Sequence, residues 1–198
     1  MAHRRIMDRV LLWFVAGLIL AAGRADGEEQ RQAGAAATPS DRATEAIRLI
    51  ESTDPYQRQL GFLRLEALRN PATLDVVKRH LADRDPDMRA YSLRALAAIG
   101  GSAAVPTLLN ALHHEKHSTA RRAALLGLEP LQQNDPAVLP AFIAALRDKS
   151  TEVRITAVDI VSRIDHPRAK EAILQRNKRE YNRNVRRALS LAMKRLGK

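Results

Sequence analysis

The sequence predicts an all-α fold, an α-solenoid of about five antiparallel helix pairs. Three observations carry this. Four arginines, Arg89, Arg121, Arg154 and Arg186, recur at steps of 32, 33 and 32 residues, and each has an acidic residue six positions earlier: Asp83, Glu115, Asp148 and Glu180. Small or apolar residues follow each arginine at +3, +6, +7 and +10, as Ala124, Gly127, Leu128 and Leu131 do after Arg121. Self-similarity at a period between about 20 and 50 residues marks a repeat array. Finally, 45% of the 198 residues are hydrophobic but only 4% are aromatic. Such a core suits closely packed helices and suits strands badly, since strands favour aromatic and β-branched residues.

Each element has its own signal. The first helix begins at Thr38-Pro39-Ser40-Asp41, an N-cap threonine with proline at the first helical position and an acid at the third; its apolar positions are Ala43, Ala46, Ile47, Leu49 and Ile50. Asp54-Pro55 starts the next, with Leu60, Leu63, Leu65 and Leu68, and Asn70-Pro71 ends it. In the second pair Leu74, Val77 and Leu81 mark one helix. Asp85-Pro86 starts its partner, Met88 to Ile99, which Gly100-Gly101 stops. The third pair has Val105-Pro106, Leu108, Leu109 and Leu112, then Thr119 to Leu131. The fourth has Pro136 and Pro140 near its start, then Phe142, Ile143 and Leu146, with a partner from Thr151 to Ile164. The fifth starts at His166-Pro167, and its second helix carries Val185 to Leu196. Each helix shows i, i+3, i+4, i+7 spacing. Connections of two to six residues force antiparallel neighbours.

The run Val105-Pro106-x-Leu108-Leu109-x-Ala111-Leu112, an acidic loop residue, then Arg121-x-x-Ala124-Leu125-x-Gly127-Leu128 resembles a HEAT repeat of the short, bilin-lyase type. Asp83-x-Asp85-Pro86-Asp87-Met88-Arg89 and Asp148-x-x-x-Glu152-Val153-Arg154 repeat the hallmark loop. The resemblance covers residues 38–198 and is strongest in repeats two to four. In the first pair Arg58 takes the arginine place, but Ser52 stands where an acid belongs. Repeats fall at about 38–70, 71–101, 102–133, 134–165 and 166–198. The resemblance implies that Asp83, Arg89, Glu115, Arg121, Asp148, Arg154, Glu180 and Arg186 form a structural ladder. In it each arginine bridges to the acid of its own loop and to the neighbouring repeat. It also implies that second helices line the concave side, where a partner would meet the +1, +5 and +8 positions.

The N-terminus reads as a signal peptide, residues 1–25. A basic start with Arg4, Arg5 and Arg9 precedes the apolar run Val10 to Ala22 and a small-residue zone. A spanning helix needs about 20 apolar residues, so this run is short for an uncleaved anchor, the alternative. Residues 26–37, rich in Ala, Gly, Gln and Glu, read as a disordered tether. The expected location is therefore exported, periplasmic or secreted. The net charge is +11, and His166 to Lys198 alone holds eleven Lys and Arg against two Glu. Basicity confined to one end is a footprint for an acidic partner, or a solvated cap.

The expected function is accordingly an exported, non-catalytic binding or scaffolding module for another, acidic protein, with anionic lipid or glycan also possible and no cofactor. The candidate contacts are Arg176, Lys178, Arg179, Arg183, Arg187, Lys194 and Arg195. The alternatives are a metal hydroxylase-like or bilin lyase-like enzyme, or nucleic-acid binding through the basic end. His113-His114-Glu115-Lys116-His117 holds metal-ligand residue types, with His113 and His117 four apart. It falls in a turn with one extra residue, lacks the His-Glu-x-x-His order, and has no third ligand in sight. The absence of cysteine excludes disulfides, thiolate nucleophiles and Cys-ligated metals.

Overall fold

Side-chain caps set where the helices begin. In the computed structural model, which describes residues 38–134 and 136–197, α1 (Pro39–Ile50) opens with a capping box. Asp41 N–H donates to Thr38 Oγ1 at 3.1 Å, and Thr38 N–H to Asp41 Oδ2 at 3.0 Å. Asp54, Asp85, His166 and Asn182 cap α2 (Pro55–Leu68), α4 (Pro86–Gly100), α9 (Pro167–Arg179) and α10 (Arg183–Arg195) by accepting a backbone N–H two residues on. Such caps satisfy donors that have no intrahelical partner. Between them lie α3 (Leu74–Arg79), α5 (Val105–His114), α6 (Ser118–Leu128), α7 (Val138–Ala145) and α8 (Thr151–Val161). Among the described residues there is no strand. The proposed signal peptide and tether, residues 1–25 and 26–37, lie outside the described residues.

The helices form two layers. The second helices α2, α4, α6, α8 and α10 pack each on the next, and α5, α7 and α9 stack beside them. The protein is an α-solenoid, as the repeat period predicts. Phe62, Leu65, Val77, Leu108, Leu125, Phe142, Ile160, Ile173 and Leu189 are buried along the whole array, so the core is continuous. Each repeat covers the face its neighbour cannot bury alone.

Several expected bounds are corrected. Leu60, expected on the buried face of α2, is 43% exposed, while Gly61 and Phe62 are buried. The helix of Leu74, Val77 and Leu81 is one short α-segment between 3-10 turns. The helix expected to reach Leu131 ends at Leu128 and tightens into a 3-10 turn, Glu129–Asn134. Pro130 explains the break, because it has no N–H for the i→i−4 bond. The partner expected to reach Ile164 stops at Val161.

Candidate functional site

Every ladder arginine is the fourth residue of a second helix, and every ladder acid sits three residues before that helix starts. Arg89 Nε and Nη2 donate to Glu115 at 3.0 Å each. Arg121 Nε and Nη2 donate to Asp148 at 2.8 and 2.7 Å. Arg154 donates to Glu180 at 3.0 and 3.5 Å. Arg58 pairs with Asp83. Each bond therefore reaches the acid of the following repeat. The expected bridge to the arginine's own acid is absent among the described residues. Nη1 instead holds the own loop's backbone: Arg89 on Asp83 O at 2.7 Å, Arg121 on Glu115 O at 3.0 Å and Arg154 on Asp148 O at 2.8 Å. The acids Asp83, Asp148 and Glu180 also accept the N–H of Asp85, Ser150 and Asn182 at 2.9, 2.7 and 2.8 Å. Loop, helix start and neighbouring repeat are thus tied at one point.

Burial pushes the Asp83, Asp148 and Glu180 carboxyls up, but these N–H and guanidinium bonds outweigh it and hold all three below the ordinary range. Glu180 falls from 4.5 to about 2, under bonds from Asn182, Arg176 and Arg154. A folded-state pKa below the unfolded one means stability that is fully present above pH 4.5 and drains away as pH falls toward 2. Thermal melts should therefore be flat near neutrality and decline below about pH 4.5. Glu180→Gln should lower the neutral-pH melting temperature and flatten that decline; an unchanged acid limb would exclude Glu180 as a contributor.

The seven basic candidates divide. Arg176 is consumed by its pair with Glu180, and Arg195 Nη1 donates to Asp159 Oδ1 at 3.1 Å and Ser162 Oγ at 2.9 Å. Lys178, Arg179, Arg183, Arg187 and Lys194 are exposed. Arg186, expected in the ladder, is exposed too and makes no side-chain bond among the described residues. The histidine cluster is also corrected. His113 and His114 belong to the last turn of α5, and the turn that follows has three residues, as do those before α4 and α10. Their Nδ1 atoms donate back to Leu109 O at 2.7 Å and Asn110 O at 3.1 Å. His117 is the residue before α6. Among the described residues no three His, Asp or Glu side chains gather as a metal site.

What the sequence did not single out is a cleft on the second helices. A space of about 520 Å³ is lined by Glu66, Arg69, Arg94, Ala97, Leu126, Pro130 and Leu131, among others. An adjoining one of about 260 Å³ shares Arg94 and Leu126 and adds Ala90, Tyr91 and Arg122. Ligand clefts span roughly 300–1,000 Å³. Among the described residues no ion pair joins the cleft-facing side chains of α4 and α6, and the floor there is apolar. Arg94 pairs with Glu66 at 3.0 Å on one side, and Arg163 with Glu129 on the other. Between them stand Ala97, Gly127 and Pro130, with Leu126 left 40% exposed. Arg69, in the left-handed conformation at φ 50°, projects from the end of α2 and is exposed. Burial, with Asp87 adding, pushes the Tyr91 phenol up, so it stays a hydroxyl at neutral pH. The site offers an apolar floor, cations at its rim and one phenol. The signal was available: Ala90, Arg94, Arg122 and Leu126 occupy the +1 and +5 positions.

Residues 44–129 and 120–194 match HEAT repeats, which together span more than half of the chain. The chain belongs to the HEAT repeat family. It is 35% identical over 115 residues, 56% of its length, to a phycobilisome maturation protein of Synechococcus elongatus. It spans about half of that relative, 55% of its length. The complex of CpcE and CpcF of phycocyanin lyase from Nostoc shares the fold at TM-score 0.64 and 21% identity, over 78% of this chain and 99% of that one. An engineered protein matches at TM-score 0.50 and 16% identity, over 80% of each. The maturation-protein relative and the lyase complex overturn the expected exported, non-catalytic scaffold. They bear names of phycobilisome maturation and of a lyase, which is the bilin lyase-like alternative. The expected non-enzyme and the periplasmic or secreted location are corrected on the same two findings, a maturation protein and a lyase complex.

Proposed function

We propose that this protein serves phycobilisome maturation as a bilin lyase-like protein that handles a bilin chromophore together with a protein partner. The observation that carries the reading is the cleft of α2, α4 and α6. A bilin is a flexible apolar tetrapyrrole with two carboxylates. The apolar floor at Leu126, Pro130 and Leu131 suits its rings, and Arg69 and Arg122 suit its carboxylates, while Arg94 is held by Glu66. Apolar walls with a few placed polar groups are the usual form of such a site. With no cysteine in the chain, no thiol here can carry the chromophore. Any thioether must therefore be made or broken on the partner, while this chain holds and orients the bilin. The maturation-protein relative and the fold shared with a two-protein lyase complex support a protein partner.

Titration with phycocyanobilin, followed by absorbance and induced circular dichroism, tests this. Leu126→Glu places a carboxylate on the apolar floor, and Arg69→Glu reverses a rim charge. Each should weaken binding about tenfold or more, the effect of burying an unpaired charge or juxtaposing like charges. If the parent protein leaves the bilin spectrum unchanged, and leaves the yield of pigmented phycocyanin unchanged on co-expression, the reading fails.

A further inference from the structure

The residue four positions after each ladder arginine reveals what covers a repeat. Phe62, Leu93, Leu125 and Val158 hold this place in the first four repeats and all are buried. Ser190 holds it in the fifth and is exposed. Burial at +4 therefore comes from the following repeat, and α10 lacks the apolar side chain that would seat one. Yet the loop before α10 keeps the geometry of the others, with Glu180 accepting the Asn182 N–H at 2.8 Å. Arg186 thus stands where Arg89, Arg121 and Arg154 each grip a carboxylate, on a helix that offers no seat for a further repeat. Around it one stripe of α10, at i, i+3, i+4, i+7, i+8 and i+11, presents Arg183, Arg186, Arg187, Ser190, Leu191 and Lys194. All are exposed, and Leu191 is 58% so.

We propose that this stripe of α10 is a docking surface for an acidic segment of another protein, with Arg186 taking a side-chain carboxylate in its open rung. Complementary charge names the occupant. Four cations stand on one face with no acidic residue in α10 to neutralise them. A guanidinium fork matches a carboxylate in two parallel bonds. An exposed leucine amid arginines is the composition of a protein interface rather than of a phosphate track. A second copy of this chain is a poor fit head to tail, because Ser52 replaces the acid that its first loop would need. The surface lies on a different repeat from the cleft, so it does not depend on the bilin reading.

The test measures binding of a labelled short polyglutamate peptide to the full chain by fluorescence anisotropy at low salt. The parent should bind, and added salt should weaken the complex. Arg186→Gln should weaken it about tenfold, and Arg186→Lys nearly as much, because a lysine keeps the charge but not the fork. Lys178→Gln, the same loss of charge on α9, should cost no more than about twofold as a screened surface charge. Arg186 is exposed, so these variants should melt like the parent and keep its phycocyanobilin titration, which separates this proposal from the bilin reading. Three results would each overturn it: no peptide binding, equal losses from Lys178→Gln and Arg186→Gln, or tighter binding to random duplex DNA or phosphatidylserine vesicles. The last would reassign the stripe to nucleic acid or to a membrane.

Discussion

Arg121→Ala should lower the unfolding free energy by about 3–5 kcal/mol, the loss expected when one partner of a buried ion pair is removed. Arg121 is only 3% exposed, the most buried of the ladder arginines. Its guanidinium donates to both oxygens of Asp148 and to the carbonyls of Glu115 and Lys116. Alanine would leave Asp148 inside with only the Ser150 N–H, and two loop carbonyls without their donor. For a domain of this size such a loss corresponds to a melting temperature lower by about 6–20 °C. The double variant Arg121→Met with Asp148→Leu should recover only part of it. It removes the unpaired carboxylate, but it leaves the Glu115 and Lys116 carbonyls and the Ser150 N–H without their partners. Differential scanning calorimetry of the three proteins decides the matter. A single variant that melts within a degree or two of the parent would show that the rungs add nothing to stability.

Gly61→Ala should be the next most damaging small change. A Cβ at Gly61 would lie 2.7 Å from the carbonyl oxygen of Ala46, the backbone nitrogen of Ile50 and the Cγ1 of Ile50. Two of those three atoms are backbone, so no rotamer change relieves the contact and α1 must move off α2. Overpacking of this kind costs about 1–3 kcal/mol, more where the backbone cannot give way. The damage should stay local, because α1 belongs to an end repeat and solenoid repeats touch only their neighbours. Hydrogen exchange should accelerate across Pro39–Ile50 while α6 and α8 keep their protection. Gly127→Ala gives the contrast. Its Cβ would meet Ala97 Cβ at 2.9 Å, which moves only with the α4 backbone, and Leu108 Cδ2 at 3.3 Å, which can shift. The strain should therefore fall between α4 and α6 and leave exchange in α1 unchanged. Equal exchange in α1 for Gly61→Ala and the parent would mean that the close approach is not needed.

The sequence read well wherever one helix sufficed. Asp-Pro and Thr-Pro starts, the glycine stop at Gly100-Gly101 and the apolar spacing act within a few residues, and the structure places elements beside each of them. Reading failed where one helix had two apolar faces. In α2, Leu60, Phe62, Leu63, Leu65 and Leu68 run around much of the circumference, and only contact with α1 and α4 decides that Phe62 goes in and Leu60 stays out. Of the two ladder contacts expected for each arginine, its own acid and the neighbouring repeat, stacking selects the second. The acid six residues before each arginine is nearest along the chain, but stacking brings the acid 25–27 residues ahead into the guanidinium fork. The exported-scaffold reading rested on the N-terminal run, which is outside the described residues, and on the basic end, which is on a different repeat from the cleft.

The sequence alone determined the repeat period, the helical class and the HEAT resemblance, because these are written in local spacing that recurs in every repeat. It also named the +1 and +5 positions of the second helices as those a partner would meet. Only the tertiary structure decided what those positions build. Arg69, Arg94, Arg122 and Leu126 come from successive repeats, and they share one cleft because α2, α4 and α6 stack in register. It likewise decided that Arg176 and Arg195 are spent on internal pairs while Arg186 is left open. Whether a charged side chain is free depends on which neighbour reaches it, and that is a property of stacking between repeats, not of any one repeat.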